Sequence, residues 1–290
     1  MRRTLLLALA GFALLAPPVY GTSFTDRMDS IPDITQTDPK AGFPYGGVHY
    51  CGPCAISNSL VWLGENGYER LLPKAADRMR VQVELVNIIA SSKYMDTTLE
   101  WGTSPAGVLQ GIDKYLADCG YRNCRLTYQG YRKVPAKYAS GTTVPQLDWV
   151  EAGLSGDSAV WLNVGWYRYS ARKREYARLG GHWVTMVGFG KDENGQIDPN
   201  ILIVHDPGAP TGENPNGYVR VLNMESGRRL VTGSGPPLDS EGLYKLRGGL
   251  RIGGNVDAAV LDGAIRLEME KPGITASSGN AGGPGACPIK

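Results

Sequence analysis

Cys51 stands at the head of an apolar stretch, Cys-Gly-Pro-Cys-Ala-Ile-Ser-Asn-Ser-Leu-Val-Trp-Leu over 51–63, and His182 opens His-Trp-Val-Thr-Met-Val-Gly-Phe far downstream. A thiolate that attacks a carbonyl needs an imidazole to take and return the proton, and an oxygen to fix the tautomer of that imidazole. Asp206, in Val-His-Asp-Pro-Gly over 204–208, offers the oxygen. Residues this far apart meet only through the fold. Ile56, Leu60 and Leu63 fall at i, i+4 and i+7, so the first stretch buries one helical face and leaves Cys51 where the N–H groups of a helix start have no partner. Such a position, or an imidazolium neighbour, brings a cysteine from its ordinary value near 8.5 down to roughly 3.5–7.5. His205 adjoins Asp206, but period-two alternation puts it on the opposite sheet face, which leaves His182 as the base. His49, two residues before Cys51, reads either as a surface residue or as a donor near the oxyanion.

Cys51-Gly52-Pro53-Cys54 is also the active-site tetrapeptide of thioredoxins, so disulfide exchange is the competing chemistry. Thioredoxins place it after a buried strand, whereas Phe43-Pro44-Tyr45-Gly46-Gly47 offers none. Gly and Pro after a nucleophilic cysteine equally suit the first turn of a helix. Cys51, Cys54 and His182 would give a metal three ligands but no second CxxC pair completes a site, and no cofactor is called for.

The elements that must position these residues divide along the chain. Helix candidates lie at 53–66, at 69–93 with a break near Pro73 or Arg80, at 104–118 after Thr103-Ser104-Pro105, and at 145–154. Strand candidates follow at 160–166, 182–190, 201–206 and 217–224, separated by turns such as Glu193-Asn194-Gly195. Helices first and strands after imply an α+β fold, a helical N-terminal lobe packed on an antiparallel C-terminal sheet.

Residues 1–21 read as a secretory signal, with Arg2 and Arg3 before an apolar core and a small-residue cleavage site at Val19-Tyr20-Gly21. The apolar run is short of the roughly 20 residues a membrane span needs, and no later segment is long and apolar enough, so stable membrane insertion is not expected. A secreted or periplasmic protein follows. Residues 22–44 read as an extended lead-in, 45–272 as the domain, and 273–290 as a Gly/Ala/Pro-rich tail. The net charge of +2 gives no broad basic surface for nucleic acid. Arg172, Lys173, Arg174 and Arg178 crowd one segment, read as a hairpin tip facing water.

In an oxidising compartment, Cys119 and Cys124 are the easiest bridge to propose among five cysteines. Cys51, Cys54 and Cys287 remain. If Cys54 pairs with Cys287, or both stay reduced, Cys51 is the free thiol; if Cys51 bridges Cys54, the site is latent until reduced.

Cys-Gly-Pro at a helix start, Gly-His-Trp-Val-Thr-Met-Val-Gly-Phe on a strand and Val-His-Asp-Pro-Gly on the next resemble the papain-like cysteine peptidases related to the bacteriocin-leader-processing, family thirty-nine-like, peptidases. The likeness covers Gly47 to Gly208. It implies a papain-like fold, a peptide or protein substrate, and Cys51, His182 and Asp206 as nucleophile, base and orienter. The family carries a Gln about six residues before the nucleophile, whose amide helps bind the oxyanion; here that position is Tyr45. Tyr45 and His49 are therefore the candidate oxyanion donors.

Overall fold

The computed structural model describes residues 25–209, 217–233 and 235–271. The signal read over 1–21, the tail and Cys287 lie outside the described residues. Among them a short strand β1 (Thr25–Asp26) leads to helix α1 (Cys51–Glu65), α2 (Arg78–Ala90), α3 (Pro105–Asp118), strand β2 (Cys124–Gly130) and α4 (Leu147–Ala152). Strands β3 (Ser158–Ser170), β4 (Glu175–Lys191), β5 (Ile197–His205), β6 (Gly217–Asn223), β7 (Arg229–Val231), β8 (Leu238–Asp239), β9 (Tyr244–Arg247) and β10 (Ala258–Met269) complete the chain. The α+β expectation holds. The 69–93 candidate divides, as its Pro73 foretells: only a 3-10 turn forms at Glu69–Leu71, and α2 starts afresh where the Asp77 side chain accepts the Arg80 N–H.

The strands go further than an open antiparallel layer. β10 pairs with β3, β3 with β4, β4 with β5, β5 with β6, β6 with β9 and β9 with β10, all antiparallel, so six strands close on themselves as a barrel. Closure has a packing reason. Val160, Leu162 and Val164 of β3, Val184 and Met186 of β4, Leu202 and Val204 of β5, Val219 and Val221 of β6, Leu246 of β9 and Leu261 of β10 share one buried interior. Residues of the other parity face the helices: Trp161 and Trp183 join Ile56, Leu60, Leu63 of α1 and Val108, Ile112 of α3 in a second core. β10 lacks a simple alternating pattern because it is buried on both faces between β2 and β3 and carries a bulge between Leu261 and Gly263.

The segment read as a lead-in is built into this body. β1 pairs with Phe189 and Gly188 of β4, and Ile31 packs with Val187, Ile201 and Ile203. Ile34 and Phe43 pack with Tyr50, Cys54 and Val86.

Candidate active site

Cys51 is the first residue of α1 and half-buried. Tyr50 at the N-cap gives no side-chain cap, so the first-turn N–H groups are not claimed by one. The turn before it is shaped by two residues. Gly47 lies at φ +74°, and a Cβ there would fall 1.6 Å from the Gln36 carbonyl oxygen. Gln36 is buried; its Nε2 donates to the carbonyls of Gly47 (2.9 Å) and Val48 (3.0 Å), and its own N–H donates to Pro207 O (2.8 Å). One glutamine thus ties the turn before Cys51 to the turn after Asp206.

His182 and Asp206 share the parity of the barrel-interior residues Val184 and Val204, and stand at the barrel mouth. His182 Nε2 lies 2.5 Å from Asp206 Oδ1, and both side chains are buried. Cys51 is the other side chain whose interaction bears on the imidazole. Trp166 stacks over the ring, centroids 5.6 Å apart. Asp206 is fixed further by the N–H of Gly208 to Oδ1 (2.8 Å) and of Arg251 to Oδ2 (2.9 Å). Burial alone would lower the pKa of His182; the Asp206 charge and hydrogen bonds to Asp206 and Cys51 outweigh it and raise the value to about 10. For Asp206 burial works upward, and the His182 charge with the backbone donors holds the carboxyl below its ordinary value. The Asp206 carboxylate thus favours the charged form of the imidazole.

Two further contacts set the distance between α1 and β4. Asn58, two turns beyond Cys51, donates to Thr185 Oγ1 (3.1 Å) and accepts from Gln82 Nε2 (2.7 Å) and the Ile34 N–H (3.2 Å); Thr185 Oγ1 donates to Ala55 O (2.6 Å). Trp183 Nε1 donates to Thr103 O (2.9 Å), and the hydrogen-only side of Gly52 lets α1 settle against the Thr103 side chain. No motif reading of the sequence marks Gln36, Asn58 or Thr185. Asn58 and Thr185 are signalled only as polar residues inside apolar runs, and Gln36, in Thr35-Gln36-Thr37-Asp38, lacks even that.

Cys54 is wholly buried; burial, then the neighbouring Cys51 and Asp33 charges, push its thiol well above the ordinary range. Of the CxxC pair, only Cys51 reaches the cleft. A 3-10 turn, Pro44–Gly47, precedes it in place of a strand. His205 faces away, its Nδ1 at 3.2 Å from Pro32 O.

A cleft of about 650 Å³ opens over Cys51, with His49, Trp183 and Asn163 in its wall and the exposed Trp101 at its lip. Three expectations need correction. Tyr45 is 76% exposed, in a left-handed conformation at φ 52°, and is not part of the cleft wall, so it is not placed to donate to an oxyanion; His49 lines the cleft. Cys119 and Cys124 are not joined in a disulfide, and Cys124 Sγ instead lies 3.7 Å from Tyr121 O. Arg178, grouped with the solvated hairpin, is mostly buried: past the turn its side chain folds back to Asp262, Nε to Oδ2 2.9 Å. No family model matches the chain, and no curated protein matches it either.

Proposed function

We propose that this chain is an exported, papain-like cysteine hydrolase that cleaves amide bonds of a peptide or protein through an acyl-thioester on Cys51. One observation carries the reading: the His182 imidazole is paired with a buried carboxylate and interacts with Cys51, a helix-start cysteine that lines an open cleft. A helical layer against an antiparallel barrel, with the cysteine on the first and the histidine on the second, supports the papain-like part.

The Cys51 sulfur attacks the carbonyl carbon, and the C=O electrons move to oxygen. The Cys51 N–H and His49 are the candidate donors to that oxyanion. On collapse, the proton held by His182 goes to the departing amine. His182, now neutral, then takes a proton from water as the hydroxyl attacks the thioester; Cys51 is released and the acid product leaves. Asp206 keeps the ring oriented and stabilises its charge.

Cys51→Ser should abolish turnover while Cys54→Ser keeps most of it, because one sulfur attacks the carbonyl; a dithiol oxidoreductase would lose turnover with either change. Intact-mass analysis with an activated ester should show one acyl group on Cys51. Catalytic insulin reduction that depends on both cysteines would sink the proposal, and a folded protein that never acylates would turn the reading to a binding protein.

A further inference from the structure

The wall of the cleft opposite α1 is unusual in what it leaves uncompensated. Asn163 is 4% exposed and belongs to that wall; its Nδ2 is turned to His182 O at 3.4 Å, and its Oδ1 has no partner among the described residues. A buried amide oxygen without a donor is disfavoured unless something arrives to satisfy it. The same cleft is lined by two cations, Arg178 and Arg132. Arg178 spends Nε on Asp262, and its Nη2 lies over Gly181, where a Cβ would come within 2.3 Å of it. The opposite residue, Gly165, likewise leaves room for the Asp262 carboxylate, which a Cβ there would meet at 2.3 Å. Two facing glycines therefore hold the pair against the cleft floor. Asp262 also accepts from Tyr167 OH at 2.9 Å, so the carboxylate is fully engaged behind the guanidinium. The Arg132 guanidinium has no carboxylate partner among the described residues, and the acidic residue of the cleft wall, Asp96, is exposed.

We propose that Asn163, Arg178 and Arg132 form a carboxylate-binding subsite of the Cys51 cleft. The Asn163 Oδ1 accepts an N–H of a bound peptide while the two guanidinium groups take an acidic group a short distance from the bond attacked. The inference deepens the hydrolase reading and rests on it for the identity of the substrate. A glutamate or aspartate side chain and a free C-terminal carboxylate present the same chemistry.

Two experiments separate the subsite from the hydrolase. The first compares alkylation of Cys51 by iodoacetate and by iodoacetamide, which differ in the carboxylate. Divided by the same ratio for glutathione, the wild-type ratio should favour iodoacetate, and it should fall about threefold or more in Arg132→Gln and in Arg178→Gln/Asp262→Asn. The double variant removes both charges of the buried pair, so no uncompensated carboxylate is left in the core. Equal ratios in the wild type and both variants would overturn the subsite. The second presents matched peptides with Glu or Gln, and with free or amidated C-termini. Cleavage of the acidic member at least tenfold faster in one of the two comparisons supports the subsite and identifies the source of the carboxylate; equal cleavage throughout overturns it and leaves the hydrolase standing. No cleavage of any peptide with a charge-dependent alkylation ratio would retain the subsite and discard the hydrolase.

Discussion

His182 is pulled in two directions, and the outcome decides the pH range of the chemistry. Burial disfavours its charge, but the Asp206 carboxylate at 2.5 Å and the Cys51 sulfur restore it and carry the value to about 10. Amide hydrolysis that uses the imidazolium proton should therefore persist through neutral pH and decline only as pH rises through about 10. Asp206→Asn keeps a hydrogen bond but removes the negative charge, so the alkaline limb of kcat/KM should move toward the ordinary histidine value of 6.5 by more than one pH unit. An unmoved limb would show that Asp206 does not set the imidazole charge. Cys51, His182 and Asp206 were legible in the sequence because each sits in a local pattern whose chemistry is visible. Gln36 and Arg178 were not: the first acts through backbone carbonyls in the turn before Cys51, and the second points inward only because Gly181 gives it room.

Between elements, α1 and β4 are tied by a few buried polar bonds, on which the meeting of Cys51 with His182 depends. Thr185 bonds Asn58 and the Ala55 carbonyl from the β4 side. Thr185→Val keeps the shape and removes the hydroxyl, leaving two buried groups on α1 short of a partner at about 1–3 kcal/mol. Thr185→Ser keeps both bonds and loses one methyl, about 1 kcal/mol. The melting temperature should follow that order. A positioning role adds a second signature: kcat should fall by about tenfold or more in the valine variant with KM little changed, and serine should restore it. Equal kcat in all three would reduce the bonds to stability alone. Sequence periodicity located the four α-helices of the described residues, since their apolar spacing is regular, and split the second where proline intervenes. It overlooked β9, which is short, and β10, whose two buried faces erase the alternation that marks a strand, and with them went the closure of the barrel.

At the scale of the molecule, His182, Asp206 and His205 each make stability depend on pH. His182 has its folded pKa raised above the ordinary 6.5, so its contribution is full below that value and is lost as pH rises through about 10. Asp206 has its folded value lowered from 3.8, so its contribution is present above 3.8 and is lost as pH falls below it. His205 is depressed from 6.5 mainly by burial; kept neutral, it supports the fold above 6.5 and opposes it as pH falls. Melting temperature should decline as pH rises from 6.5 toward about 10, and that alkaline decline should be weaker in Asp206→Asn. A curve that keeps rising beyond pH 10 would contradict the assignment.

The same scale decides what residues 25–44 do. Ile31, Ile34 and Phe43 are buried in two different clusters, β1 extends the pairing of β4, and Gln36 spans the turns on either side of the site. Each of the three apolar side chains contributes about 1.5–3 kcal/mol of burial. Set against about 5–15 kcal/mol for a whole domain, their joint removal takes most of the margin. A chain beginning at 45 should therefore lose its cooperative melting transition, read by circular dichroism. Ile34→Ala in the full chain, a milder test, should lower stability by about 2–5 kcal/mol in denaturant titration while the protein still folds. The consequence reaches the chemistry through Gln36: Gln36→Ala, with the segment otherwise intact, should slow iodoacetamide labelling of Cys51, because the turn before it loses two hydrogen bonds. A truncated chain with the parent melting temperature and parent Cys51 labelling rate would show that the segment is a separable leader after all.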